Sequence, residues 1–103
     1  MNVKVGEKLA STVCAARFVV VAAPAKDIDL RCGGAPVVSL AAGEPVVVGP
    51  PDPAHASGSV LGKRYADADL GLELICTQAG EGSLSADGQP VELKAAKPLP
   101  SSD

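Results

Sequence analysis

The chain has 103 residues, a formal net charge of −3, and nine Lys and Arg residues scattered along it. This length predicts one domain over residues 1–103, large enough to fold without disulfides or metal. The acidic balance excludes a nucleic-acid partner, which needs a basic face. The longest apolar run, residues 18–24, is far shorter than the ~20 residues that span a bilayer. The sequence therefore predicts a soluble, cytoplasmic protein with neither a nucleic-acid nor a membrane partner.

The apolar residues are mostly Val, Leu and Ala, and Phe18 and Tyr65 are the only aromatic side chains. β-branched Val favours strands, and no segment holds a helical period over several turns. We therefore predict an all-β fold, a small antiparallel sandwich or partly open barrel of about seven to nine short strands.

In the first half of the chain, Gly and Pro separate segments of strand length. The first two segments are expected to form a hairpin, and Gly33-Gly34 is expected to close the third strand. The predicted strands are residues 7–14, 18–23, 28–32, 37–40 and 45–48.

A Pro-rich loop is predicted over residues 49–59, because proline lacks a backbone donor and suits neither a central strand nor a helix interior. Asp52 is alternatively placed to cap one helical turn that runs through Ala56. Residues 97–103 are predicted to form an extended polar tail.

Residues 60–94 are predicted to form a second β layer, with strands at 60–65 and 70–77. In the second of these strands, a period of two places Cys76 on the core side, together with Leu70, Leu72 and Leu74. A tight hairpin around Asp87-Gly88 is expected to join two further strands, residues 83–86 and 90–94.

Two short motifs flank the strand Phe18-Val19-Val20-Val21, namely Ser11-Thr12-Val13-Cys14 and Leu30-Arg31-Cys32-Gly33-Gly34. This order of motifs, within residues 6–38, resembles desulforedoxin and the related N-terminal domain of some superoxide reductases, which belong to the rubredoxin-like group of small iron proteins. In that family, two cysteine knuckles flank a strand of the same type and hold one iron. The resemblance implies a knuckle unit at residues 6–38, and a homodimer formed through strand edges.

Carried over position by position, the resemblance places Cys14 and Cys32 at two of the four thiolate ligands. Ser11 and Gly33 stand where the other two cysteines would be. The family's iron needs four thiolates, and a hydroxyl is a much poorer ligand for such a metal. The resemblance therefore implies a degenerate knuckle that has lost half of its ligands.

Other residues offer alternative sites around this pair. Cys76 and His55, the only histidine, would complete a Cys3His set for iron or zinc, although Cys76 is expected on an apolar face and His55 in a loop. A Cys14–Cys32 disulfide is a further possibility, which the reducing cytosol disfavours. Lys63 and Arg64 offer the best small anion contact.

No catalytic residue is assigned, because one histidine would have to serve every arrangement and nothing near it in sequence orients its ring. The sequence thus predicts no enzyme and no cofactor. Its leading interpretation is a non-catalytic binding or accessory module that contacts an unknown protein partner or a second copy of itself. The alternatives are a metal-thiolate or thiol redox protein using Cys14 and Cys32, possibly with Cys76, and a small-molecule binder with a β pocket of at least ~300 Å³.

Overall fold

The computed structural model describes residues 1–94, so the predicted tail at 97–103 lies outside the described residues. It confirms the all-β prediction. The strands form two antiparallel sheets of six and four strands, and the described residues do not close into a barrel. The helical segments described are the 3₁₀ helices Leu40–Ala42 and Pro53–His55. No helix within residues 1–94 is long and apolar enough to cross a membrane.

The described residues contain ten strands, several of them only two residues long. In chain order they are β1 Lys8–Ala10, β2 Arg17–Ala22, β3 Leu30–Cys32, β4 Ala35–Pro36, β5 Val38–Ser39, β6 Arg64–Asp67, β7 Leu72–Gln78, β8 Leu84–Ala86, β9 Gln89–Pro90 and β10 Glu92–Leu93. The larger sheet has the order β10-β6-β7-β2-β1-β5, and the smaller one has the order β4-β3-β8-β9.

The predicted N-terminal hairpin is confirmed by the pairing of β1 with β2, in which Leu9 lies opposite Phe18. β2 pairs on its other side with β7, where Phe18 lies opposite Cys76. β7 alternates as the sequence predicts, since Leu72, Leu74 and Cys76 are all buried. This alternation places the Cys76 side chain in the core.

Two glycine-containing turns shape the smaller sheet. Asp87 and Gly88 have φ angles of 50° and 81° and form the two-residue loop between β8 and β9, as the sequence predicts. Gly33 and Gly34, at φ 66° and 84°, make the corresponding loop between β3 and β4. Positive φ at both central positions suits the right-handed twist of a hairpin, and glycine adopts it without steric cost.

Both sheets draw strands from both halves of the chain, so residues 60–94 do not form a layer of their own. β6 and β7 join the larger sheet beside β2, whereas β8 pairs with β3 in the smaller one. The N-terminal hairpins leave one edge of β2 and one edge of β3 unpaired. β7 and β8 supply backbone hydrogen-bond partners along these two edges. The halves are therefore interleaved.

Several predicted strands are shorter in the structure, and the first, predicted at residues 7–14, is only Lys8–Ala10, so that Cys14 lies in the turn after it. Three others depart further from the prediction. Residues 45–48 are not a strand, because Val48 N donates to Thr12 O in a loop. Residues 60–63 form a turn closed by Lys63 N donating to Val60 O, which delays β6 until Arg64. Residues 89–93 change sheets at the buried Val91, so the single strand predicted at 90–94 is divided into β9 and β10.

The Pro-rich loop contains the short helical turn that the sequence left as an alternative. Pro53–His55 is a 3₁₀ helix, and the side chain of Asp52 accepts a hydrogen bond from Ala54 N at 3.0 Å. The cap satisfies one of the backbone donors that a helix start leaves unpaired.

The core is one cluster of side chains from both sheets. The two aromatic rings, Phe18 and Tyr65, meet edge to face with centroids 6.4 Å apart. Such pairs contribute about 1 kcal/mol beyond their buried area. The largest fully buried side chains around them include Leu9, Val20, Leu30, Leu72 and Leu74.

Candidate functional site: a buried cysteine cluster

Cys14 lies in the tight turn between β1 and β2. The turn is closed by Ser11 N, which donates to Ala16 O at 2.9 Å. The Ser11 hydroxyl, itself buried, accepts hydrogen bonds from Val13 N at 3.1 Å and Cys14 N at 3.2 Å. These bonds fix the Cys14 backbone and leave its side chain only 8% exposed.

Cys32 lies at the end of β3, opposite Leu84 of β8, and is fully buried. The Gly33-Gly34 turn follows it directly, and Gly33 N donates to Ser83 O at 3.0 Å. This bond ties the turn to the segment that leads into β8.

Gly82 brings the two cysteines together. Its N–H donates to Cys14 Sγ at 3.4 Å, across 68 residues of chain. A Cβ on Gly82 would lie 3.1 Å from Cys32 Sγ and 2.9 Å from Gly33 N. The segment is anchored by the buried Ser59, whose hydroxyl donates to Gly82 O at 2.7 Å. Both sulfurs therefore lie against one glycine, and a larger residue would separate them.

The surroundings of the two sulfurs shift their pKa values in opposite directions. Burial raises the pKa of Cys14, but hydrogen bonds from Ser11, from the Ala16 and Gly82 backbone and from the Cys32 side chain outweigh it, so that the pKa lies below its usual value. Burial, followed by the charge of Cys14, raises the pKa of Cys32 to about 12. The thiolate therefore forms more readily at Cys14 than at Cys32.

Cys76 is the third member of the cluster. Burial, followed by the charge of Cys14, raises the pKa of Cys76. Its thiol donates to Gln78 O at 3.2 Å. All three cysteines are free thiols.

The loop at residues 45–52, which we call the strap, crosses both cysteine turns. Val48 N donates to Thr12 O at 2.7 Å, on the Cys14 side. Asp52 N donates to Gly33 O at 2.9 Å, on the Cys32 side. Val47 and Pro45, in the first half of the strap, face a small cavity.

This cavity has a volume of about 130 Å³ and reaches Cys14. Part of its wall is polar, with Ser11, Arg17 and Gln78 among the lining residues. Arg17 also forms an ion pair with Glu44, which lies on the exposed side. The remaining wall is apolar and is made by Ala10, Ala15, Ala16, Pro45 and Val47.

The side chains at this site do not fit a four-thiolate iron centre. Ser11 Oγ is engaged with two backbone donors, and Gly33 offers no side chain. Within residues 1–94, no group of three or more His, Cys, Asp or Glu side chains is arranged to hold a metal ion. Cys14, Cys32, Cys76 and His55 therefore gain no support as a metal set from this part of the chain.

His55 belongs to a different part of the surface. Its carbonyl accepts from Ser83 N at 2.8 Å, and its half-buried ring packs beside Gly34. Together with Tyr65 and Leu93, it lines a groove of about 580 Å³. This volume exceeds the roughly 300 Å³ at which pockets begin to hold drug-sized ligands.

The anion contact predicted at Lys63 and Arg64 has a different arrangement from the one expected. Arg64 forms an ion pair with Glu73 at 3.2 Å, and Glu73 also pairs with Lys94 at 2.8 Å. The Lys94 and Arg64 cations lower the pKa of Glu73. Arg64 thus links β6 to β7, and Lys63 is exposed in the turn before it. The anion contact stays a prediction.

The comparisons with known proteins find no relative: no family model, no curated protein and no solved structure matches this chain.

Sequence reasoning did not assign Gly82 or the strap to the site. The sequence assigns no role to Gly82, and it predicts a strand at residues 45–48. The only indication in the sequence is that residue 82 is a glycine, which allows other atoms to approach its backbone closely. Its contact with Cys14 is set by the pairing of β8 with β3, which no local pattern encodes.

Proposed function

We propose that this chain is a thiol redox protein in which Cys14 and Cys32 cycle between a dithiol and an intrachain disulfide. The observation that carries the proposal is the position of Gly82, whose backbone lies against the sulfurs of both cysteines. The thiolate is the nucleophile in thiol chemistry, and Cys14 has the donors that stabilise it. Cys32 is the adjacent thiol that would resolve an oxidised Cys14.

The cycle needs no group other than the two cysteines and external reagents. Oxidation removes two electrons and two protons from the pair, and a thiol reductant restores them by exchange. A cytoplasmic location is part of this proposal, because a reversible disulfide depends on a reducing environment for its return to the dithiol.

The first test is a redox titration of the full chain in glutathione buffers, read by intact mass and by alkylation of the remaining thiols after denaturation. We expect the wild type to lose two hydrogen atoms on oxidation and to keep one alkylatable cysteine of its three. Cys14→Ser and Cys32→Ser are expected to remain fully reduced.

Cys76→Ser is the matched control, because it removes an equally buried thiol and is expected to oxidise as the wild type does. A disulfide that still forms in Cys14→Ser, or none at any buffer ratio in the wild type, would contradict the proposal. Separate masses for the three variants distinguish these outcomes.

A second candidate is the binding or accessory module that the sequence favoured, with a second copy of the chain as its partner. It is supported by the three consecutive strap valines Val46, Val47 and Val48, which are 78%, 55% and 68% exposed. Contiguous exposed apolar side chains commonly mark interaction surfaces.

Sedimentation velocity over a range of concentrations tests this candidate. We expect the wild type to form a homodimer, and Val46→Ser together with Val48→Ser to shift it to the monomer. Val5→Ser is the control, because Val5 is also exposed, at 69%, and lies outside the strap. A wild type that stays monomeric at the highest concentration, or a dimer unaffected by the strap substitutions, contradicts this assignment.

A further inference from the structure

Cys14 is reached through a space that limits the size of its reaction partner. The side chain is only 8% exposed, and the strap crosses the turn that carries it. The adjacent cavity of about 130 Å³ is lined by Cys14 itself. Attack on a disulfide of another protein requires close contact between the two sulfurs. The strap would obstruct that contact.

Resting on the proposed function above, we propose that the oxidant of this dithiol is a small hydroperoxide, which enters the cavity beside Cys14. The cavity volume lies well below the roughly 300 Å³ of pockets that hold drug-sized ligands. Hydrogen peroxide has two oxygen atoms and no side groups. It is therefore of the size class that this space admits.

The polar wall of the cavity suits this reaction. Arg17 and Gln78 are among the residues that line the cavity, and both carry hydrogen-bond donors, although the Arg17 guanidinium also pairs with Glu44. Negative charge develops on the leaving oxygen when the peroxide bond breaks, and fixed donors stabilise such charge. The Gly82 N–H and the Ser11 hydroxyl remain with the sulfur.

The reaction balances with the two cysteines and one peroxide. Cys14 Sγ attacks one peroxide oxygen, an S–O bond forms, the O–O bond breaks, and the departing hydroxide takes a proton from solvent to become water. Cys32 Sγ then attacks the sulfenic sulfur of Cys14, an S–S bond forms, and the S–O bond breaks. The second hydroxide leaves with the Cys32 proton as water. Two electrons pass from the sulfurs to the peroxide.

The experiment compares oxidants on the fully reduced full chain, with disulfide formation followed by quenched alkylation and mass. Hydrogen peroxide, cumene hydroperoxide and glutathione disulfide are the three oxidants. We expect hydrogen peroxide to react fastest. Cumene hydroperoxide should react roughly tenfold more slowly or slower still, because its bulk keeps the peroxide oxygens from a reactive distance to the Cys14 sulfur. Equal rates for the two hydroperoxides, or faster oxidation by glutathione disulfide, would overturn the inference.

A pair of strap variants tests the route of entry. Val47 lines the cavity and Val46 does not, although both are exposed. Val47→Trp should slow the reaction with hydrogen peroxide by roughly tenfold, because the larger side chain fills the cavity beside Cys14. Val46→Trp should react at the wild-type rate. Equal rates for both variants would refute entry beside Val47.

The outcomes also separate this inference from the proposed function. Formation of the disulfide with glutathione disulfide but not with hydrogen peroxide rejects the peroxide and keeps the redox pair. Absence of a Cys14–Cys32 disulfide with all three oxidants rejects both.

Discussion

Ser11 shows how one residue sets the chemistry of the cluster. Its hydroxyl accepts hydrogen bonds from the Val13 and Cys14 backbone. It also contributes a hydrogen bond that lowers the pKa of Cys14. A serine at this position therefore supports a thiolate through hydrogen bonding.

Substitution of Ser11 by Ala is expected to raise the pKa of Cys14, because one hydrogen bond to the charged form is lost. Only the thiolate reacts with iodoacetamide, so the alkylation rate falls as the pH falls through this pKa. The measurement is the rate of Cys14 alkylation against pH, in a Cys76→Ser background that removes one competing thiol.

Ser85→Ala is the matched control, because Ser85 is also buried but lies in β8, opposite Arg31 and Pro90. Its alkylation profile should coincide with that of the unsubstituted protein. An unchanged midpoint in Ser11→Ala would contradict the role assigned to the hydroxyl.

At the scale of the elements, three segments bring Cys14 and Cys32 together. The β1–β2 turn carries Cys14, the β3–β4 turn follows Cys32, and the segment before β8 carries Gly82. Backbone hydrogen bonds also join these segments to one another. Gly33 N, for example, donates to Ser83 O in the segment before β8. The position of each sulfur therefore depends on a segment distant in sequence.

Gly82→Ala is expected to destabilise the fold by about 2 kcal/mol and to change the reactivity of Cys14. Its new Cβ would lie 2.9 Å from Gly33 N and 3.1 Å from Cys32 Sγ, which forces these turns apart. Urea denaturation measures the first effect, and the rate of iodoacetamide alkylation of Cys14 measures the second.

Gly62→Ala separates the two effects. Gly62 has a φ of 82° and no atom within 4 Å of its ideal Cβ position, so this variant adds backbone strain without a contact. It should lose stability and keep the alkylation rate of Cys14. A Gly82→Ala protein with wild-type stability and reactivity would show that the three segments are not coupled through this glycine.

Elements with a local signal were predicted well. Asp87-Gly88 predicts the β8–β9 hairpin, because a two-residue hairpin loop needs positive φ angles that few residues other than Gly, Asn and Asp adopt. The observed φ angles are 50° and 81°. The strand predicted at residues 45–48 was wrong, because an apolar run indicates a strand only where a neighbouring edge is available. That run instead bonds to the Cys14 turn.

At the scale of the whole molecule, the buried thiol of Cys32 links stability to alkaline pH. Its pKa is raised to about 12 in the folded state. Above the usual pKa of a cysteine, the unfolded chain loses this proton and the folded chain keeps it. The free energy of unfolding therefore falls as the pH rises from the usual pKa toward the folded value, by up to about 1.4 kcal/mol per pH unit.

Urea denaturation of the reduced protein at several pH values from about 8 to about 10.5 checks this linkage. Cys32→Ala should be less stable throughout, because it leaves a cavity, but its stability should decline less steeply over this range. Parallel declines for the wild type and Cys32→Ala would contradict the raised pKa.

The sequence by itself determined the all-β class, the N-terminal hairpin and the core position of Cys76. These depend on the β propensity of Val, on turn chemistry and on a period of two, all of which act between near neighbours. Only the tertiary structure decided that both halves of the chain share both sheets and that Gly82 lies against Cys14 and Cys32. The physical reason is that the backbone N–H and C=O groups at a strand edge can pair with any other segment of the chain. A contact across 68 residues therefore leaves no pattern in the local sequence.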